Sequence, residues 1–233
     1  MTNYINFNVQ LVDHNGVAII SSGGVAMVCE NALPKKHTLY SNAQAAAASN
    51  PKALTRGKLD FWVLQSALVN GKVDAFISCP GGQFVVARNL VPSGPNEVVV
   101  DTSRANQMFV LPFDVTDYTV AAENDTGFDE PASGRAIFLG DAAGPSIFVT
   151  AIDATETLDV GTAEVVPSAE GGDANGFMSA VSVGTLGLVQ DQGALMTTLV
   201  GHLSGGLSIT VTPTAGSDTG EGYVYLPYRL FNA

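Results

Sequence analysis

Leu207-Ser208-Ile209-Thr210-Val211-Thr212 alternates apolar and hydroxylated side chains without a break. A period of two belongs to an extended strand with one face on a core and the other toward water. Leu207, Ile209 and Val211 fall on the first face and the hydroxyls on the second. The stretch Gly222-Tyr223-Val224-Tyr225-Leu226-Pro227-Tyr228-Arg229 alternates apolar and aromatic positions over a strand length in the same way. Toward the N-terminus, short β-branched or aromatic runs recur between clusters of Gly, Pro, Asn and Asp, the punctuation of a β protein. They predict strands near Tyr4–Val12, Val25–Cys29, Leu59–Leu64, Val73–Ser78, Gln83–Arg88, Glu97–Asp101 and Met108–Phe113. A second series is expected near Tyr118–Ala121, Arg135–Leu139, Ser146–Ile152, Thr157–Gly161, Phe177–Val183, Ala194–Leu199, Leu207–Pro213 and Gly222–Leu230.

Only Asn42-Ala43-Gln44-Ala45-Ala46-Ala47-Ala48 invites a helix, and it stops before Asn50-Pro51. Two turns of isolated helix are marginal in water, so one surface turn of helix or a loop is expected there. Strands do not alternate with helices, which excludes a doubly wound parallel sheet. The expected fold is all-β, in two β domains. The polar, acidic, turn-rich stretch within 114–134 marks the boundary. Residues 1–117 would form an N-terminal β domain, and residues 118–233 an acidic, antiparallel, jelly-roll-like β-sandwich.

A chain of 233 residues can bury a sizeable core without disulfides or metals. Hydrophobic residues make up 46% and charged residues 14%, the reverse of a disordered chain. The net charge of −12 is unevenly spread. Residues 1–120 hold eight bases and eight acids, whereas residues 121–233 hold two bases, Arg135 and Arg229, and fourteen acids. Such an acidic half repels polyanions, so neither nucleic acid nor a membrane is an expected partner. The two halves are expected to look at different neighbours, the neutral one docked and the acidic one toward water. The first residues lack the basic and apolar segments of a secretory leader, and no apolar run reaches the length of a membrane span. The protein is therefore expected to be made and kept in a cytoplasm. Cys29 and Cys79 do not define a disulfide framework and read as buried free thiols.

Chemistry-bearing patterns are missing. His14, His37 and His202 sit in no His-x-x-x-His spacing, and no Cys-x-x-Cys occurs. Gly144-Pro145-Ser146 lacks the second glycine of a nucleophile elbow. Gly23-Gly24, Gly81-Gly82 and Gly205-Gly206 are not followed by Lys-Ser or Lys-Thr, as a phosphate loop requires. The acidic stretches 125–130 and 170–176 carry calcium-type oxygen ligands but not the spacing of an EF-hand loop, and read as solvated turns. No catalytic residue, metal or cofactor is expected.

Two stretches resemble known families. Thr38-Leu39-Tyr40-Ser41-Asn42, Asn50-Pro51, Thr55-Arg56-Gly57-Lys58-Leu59-Asp60-Phe61-Trp62 and Val73-Asp74-Ala75-Phe76-Ile77 resemble a pattern of tailed-bacteriophage fibre and appendage proteins. Thr157–Gly161, Gly172–Phe177 and the run from Ala215 to Arg229 resemble the C-terminal sandwich of phage virion accessory proteins, many of them head decoration or cement proteins. The resemblance implies a structural virion protein that is not an enzyme. Its place would be the capsid surface, reached from the host cytoplasm during assembly. Its partner would be the major capsid protein, and its own assembly a homotrimer. The alternative it implies is a tail, baseplate or host-binding appendage. The candidates for the capsid interface are Tyr4 and Phe7 of the first strand and the bases Lys35, Lys36, Arg56 and Lys58.

Overall fold

Tyr4–Val12 (β1) shows why the chain folds as strands: Phe7, Val9 and Leu11 are fully buried, while the alternate Asn6, Asn8 and Gln10 face the other way. The computed structural model describes residues 3–20, 23–79, 81–92, 94, 96–100, 106–140, 144–153, 156–163, 172–190, 193, 201–214 and 219–231. Among them every regular element is a strand, apart from the single 3-10 turns Gln65–Ala67 and Val115–Asp117. The fold is all-β. The chain divides into two compact units, Met1–Ser103 and Arg104–Ala233.

The first unit has two sheets. One runs β4-β3-β6-β1-β9, with Ala47–Ala48 as β4, Leu39–Tyr40 as β3, Lys58–Leu64 as β6 and Asn96–Val99 as β9. The other runs β5-β2-β7-β8, with Lys52–Ala53 as β5, Val25–Glu30 as β2, Val73–Ser78 as β7 and Phe84–Leu90 as β8. One core joins them: Phe7, Val9, Leu59, Phe61 and Val63 from the first, Ala26, Val28, Val73, Ala75 and Ile77 from the second. Phe7 stacks on Phe61 with ring centroids 5.2 Å apart. Each such side chain stabilises the fold by about 1.5–3 kcal/mol when fully buried. β9 lies parallel to β1 from Val9 to Val12, so this unit is mixed.

The segment expected as a helical turn or loop is the tip of a hairpin. Asn42 Oδ1 accepts from Gln44 N at 3.0 Å and Ala46 N at 3.3 Å, and Ala45 takes a positive φ of 66°. This side-chain turn, rather than helix propensity, sets the local path. Ala47–Ala48 then returns against Leu39–Tyr40.

In the second unit one sheet runs β16-β13-β19-β12-β17, with β10 on the other side of β19. These strands are Asn106–Asp114 (β10), Ala136–Leu139 (β12), Ser146–Ala151 (β13), Gly187–Gln190 (β16), Gly201–Leu203 (β17) and Glu221–Leu230 (β19). The other sheet runs β11-β18-β14-β15, from Asn124–Asp129 (β11), Ser208–Pro213 (β18), Thr157–Thr162 (β14) and Met178–Ser182 (β15). Among the described residues all pairings in this unit are antiparallel. Phe109 of β10 meets Phe128 of β11 edge-on at 5.3 Å between centroids, which joins the two sheets in a common core. The expected strand Ala194–Leu199 lies outside the described residues, and with it the complete jelly-roll strand order. In β18, Ile209 and Val211 are fully buried as their alternation predicts, but Thr210 is buried too.

Among the described residues β19 has three neighbours. It pairs β10 along Glu221–Arg229, β13 along Glu221–Tyr225 and β12 along Tyr228–Leu230. The change from β13 to β12 leaves Leu226 and Pro227 as a gap. A proline, which has no N–H to donate, is tolerated in this central strand at such a gap.

Two corrections follow from that arrangement. The division falls at 103/104 rather than 117/118, because β10 is held over nine residues by β19 at the far end of the chain. The expected strand Tyr118–Ala121 is a turn. Asp114 caps the 3-10 turn by accepting from Thr116 N at 3.0 Å, and Ala121 has a φ of 53°. The acidic residues 125–130, expected as a solvated turn in the boundary region, mostly belong to β11 instead, with Thr126 and Phe128 turned inward.

Cys29 and Cys79 are buried free thiols. Burial pushes the Cys79 thiol up to about 12. The reactive form is the thiolate, so neither cysteine is expected to react with iodoacetamide at pH 8 until the protein is denatured. Mass spectrometry before and after guanidinium treatment reads this out, and rapid labelling of the folded protein would contradict the buried placement.

Candidate attachment surface

The outer face of the five-stranded sheet gathers aromatic side chains. β6 alternates in step with β1: Leu59, Phe61 and Val63 point to the core, while Asp60, Trp62 and Leu64 take the opposite positions. The register sets Trp62 beside Asn6 on one side and Tyr40 on the other, with Tyr4 opposite Leu64. Tyr4 and Tyr40 meet edge-on at 4.7 Å between centroids. Asn6 Nδ2 donates to Asp60 Oδ1 at 2.6 Å, and Asn8 lies exposed opposite Asp60. Tyr4, Tyr40 and Trp62 are each half-buried, so their rings present area already held in place by the sheet. Rigid Tyr and Trp surface beside polar groups is what recurs at the energetic centres of interfaces.

Lys58 lies on the same face but at its other end, opposite Gln10. Arg56 occupies the exposed tip of the turn before it. Thr55 and Lys58 exchange backbone hydrogen bonds of 2.9 and 3.0 Å around Arg56 and Gly57, both at positive φ, 50° and 68°. That is a two-residue hairpin turn of the primed kind. A Cβ on Gly57 would collide with the Ile19 carbonyl, so glycine is required there. Along β6 Lys58 lies about 14 Å from Trp62 and about 20 Å from the position opposite Tyr4, at ~3.4 Å per residue.

The six residues expected at an interface therefore do not form one patch. Tyr4 belongs to the aromatic group, and Arg56 and Lys58 to the opposite end of its sheet. Lys35 is exposed and Lys36 half-buried in the turn after β2, where Lys36 bridges Cys29 on the other sheet. Phe7 is a correction. It is fully buried against Phe61 because its position in the β1 alternation points inward, and it has no surface to offer a partner. Tyr40 and Trp62 were not among the candidates. Their signal was present as a tryptophan on the polar phase of an amphipathic strand.

The second unit holds a different polar cluster. Glu130, with its side chain fully buried, meets His202 Nε2 through Oε1 at 2.8 Å. Its Oε2 accepts from Gly205 N at 2.7 Å and Leu207 N at 3.4 Å. His202 packs on Phe138 and Phe177. Every contact of this carboxylate secures the turn between β17 and β18, which makes it a structural latch. Among the described residues, no group of three or more His, Cys, Asp or Glu side chains is placed to hold a metal ion.

The charge division follows the structural units. Met1–Ser103 carries seven bases and six acids, net +1, and Arg104–Ala233 carries three bases and sixteen acids, net −13.

No protein-family model matches the chain. No curated protein matches it. One solved structure, described as "Structure of infectious bursal disease virus Gx strain", is similar at 12% identity with a TM-score of 0.22. The match covers 98% of this chain, which spans only 57% of that one. A likeness this slight carries no argument about fold or function.

Proposed function

We propose that this protein is a structural component of a virus particle. It decorates the outside of a phage head as a homotrimer on the major capsid protein, and it stabilises the shell. The observation that carries this reading is the coincidence of the charge division with the unit division. Docking the unit of net −13 would strip water from many carboxylates with three bases in the unit to offset them. The unit of net +1 has matched charges and a rigid aromatic face to offer. The resemblance of the 38–77 and 157–229 segments to phage virion proteins supports the same assignment.

A protein that binds an assembled shell better than separated subunits stabilises the assembled state by mass action. Each copy needs an interface of only about 800 Å² per partner. Particles lacking the protein are expected to assemble and to release DNA at a lower temperature than decorated ones. Residues 1–103 made alone should bind expanded capsids, and residues 104–233 should not. In the whole protein, Trp62→Ala should weaken attachment by about 2 kcal/mol, roughly thirtyfold, with the melting temperature checked separately. An unchanged release temperature at full occupancy would reject the cement role.

The flat rings of Tyr4, Tyr40 and Trp62 beside Asn6, Asn8 and Asp60 favour one second reading, a host-binding appendage that holds a sugar ring. On that reading Trp62→Ala abolishes binding on a glycan array and leaves particle stability untouched.

A further inference from the structure

The segment between β2 and β3 carries a buried imidazole. His37 is 5% exposed, and its Nε2 is buried and makes no hydrogen bond. The backbone around it is tied to β2. His37 N donates to Val28 O at 2.9 Å. Asn50 Nδ2 donates to His37 O at 2.9 Å and to Val28 O at 2.7 Å, and Asn50 Oδ1 accepts from Val28 N at 3.0 Å. His37 precedes β3 and Asn50 follows β4, so these bonds fasten both ends of the β3–β4 hairpin to one strand. The hold of the hairpin on β6 is slighter. Among the described residues β3 meets β6 at a single register position, Tyr40 opposite Trp62, with Leu39 buried in the core beside it. Protonation would put a charge and a second N–H on His37, in a site that offers Nε2 no acceptor and the charge little water. The titratable side chains on the segments around it are Cys29 and Glu30 of β2, Lys35 and Lys36 of the turn, Tyr40 of β3 and Lys52 of β5. Burial lowers the His37 pKa, and none of these groups offsets it.

We propose that the β3–β4 hairpin is an acid-released flap: protonation of His37 undocks it from β2 and β6 and carries Tyr40 away from Trp62 on the aromatic face. An undocked, hydrated imidazole takes a proton near its ordinary pKa of about 6.5, and the docked one only at lower pH. Docking is therefore fully retained above pH 6.5 and weakens as pH falls from there toward the docked value. Each pH unit in that window multiplies the undocked fraction by up to about tenfold. The surrounding sheets stay closed, because β1 pairs β6 from Tyr4 to Gln10 and β2 pairs β7 from Val25 to Glu30. A local opening of this kind costs far less than unfolding the unit. The release does not depend on what the aromatic face binds, nor on the virion reading.

Trp62 is the chain's one tryptophan, so its fluorescence reports the departure of Tyr40. In the whole protein its emission is expected to shift to the red between pH 7.5 and about 5.5, a window above the carboxylate range. Over the same window, amide hydrogen exchange corrected for intrinsic rates should rise by up to about tenfold in residues 36–50 and stay constant in β1 and β7. His37→Phe, which fills the site with an apolar ring, and His37→Gln, which cannot titrate, should both abolish the two responses. His14, which is exposed, and His202, in the second unit, remain in both variants as internal controls. The proposal is overturned if emission and hairpin exchange stay constant down to pH 5.5, or if the variants keep the wild-type response. It is also overturned if β1 and β7 lose protection together with the hairpin, because acid then unfolds the whole unit.

Discussion

Truncation after Gly220 is expected to unfold the second unit outright. The missing strand, β19, is the one that β10, β12 and β13 share. It brings Tyr223, Val224, Leu226, Tyr228 and Leu230 into the core, all buried. At about 1.5–3 kcal/mol for each such side chain, their loss alone is comparable to the whole stability of a domain, about 5–15 kcal/mol. Three strands would also lose their hydrogen-bonding neighbour along one side. Calorimetry of the full chain and of the truncated form checks this. The transition belonging to residues 104–233 should vanish, and ANS fluorescence should rise as apolar surface is exposed. A truncated protein that keeps that transition unchanged would show that β19 is dispensable.

Asp74→Ala is expected to cost the first unit about 3 kcal/mol or more, by stranding buried donors. Asp74 is 1% exposed and is the hub of a buried network. Its Oδ1 accepts from Asn31 Nδ2 at 3.1 Å and Asn89 N at 2.9 Å, and its Oδ2 from Ala32 N at 3.0 Å and Arg88 Nη1 at 2.7 Å. Asn89, within β8, and Ala32, in the turn after β2, both take positive φ, 58° and 64°, so the carboxylate also holds two strained backbone positions in place. Burial alone would raise its pKa. The hydrogen bonds from Arg88, Asn89, Ala32 and Asn31 outweigh that and hold it below the usual carboxylate value. A depressed carboxylate contributes stability that is present above its unfolded pKa, about 3.9, and is lost as pH falls through the lower folded value. Denaturant melts between pH 7 and pH 2 should therefore show the wild type losing stability at the acid end. Asp74→Asn, which starts weaker, should show a flatter profile. Equal pH dependence in the two proteins would remove Asp74 from that account.

How much of this was legible in the sequence depended on whether a signal was local. Strands rich in β-branched, aromatic or aliphatic residues, such as the alternating Tyr4–Val12 and the continuously buried Val73–Ser78, have the bounds that their residues predict. Strands made of weak β formers escaped. Ala47–Ala48 exists because Asn42 turns the chain back onto Leu39–Tyr40, and Asn124–Asp129 because Thr126 and Phe128 find β18 across the sheet. In both, tertiary pairing overrides a composition that reads as helix or solvated turn. The same limit applies to the surface. The outward phase of Trp62 can be read from β6 alone, but its company cannot. Tyr4, Tyr40 and Trp62 come from three segments that meet only through sheet register.

By itself the sequence determined the all-β class, because a period of two is a property of neighbouring residues and survives any arrangement of the strands. It also determined the uneven charge, which is a count along the chain. Only the tertiary structure decided where one unit ends and the next begins. That boundary rests on the pairing of Asn106–Asp114 with Glu221–Leu230, two strands more than a hundred residues apart. It likewise decided that Phe7 is core and that Glu130 is a latch. Each of these depends on what lies across a sheet, and the closure of long loops that brings such partners together leaves no mark in local sequence.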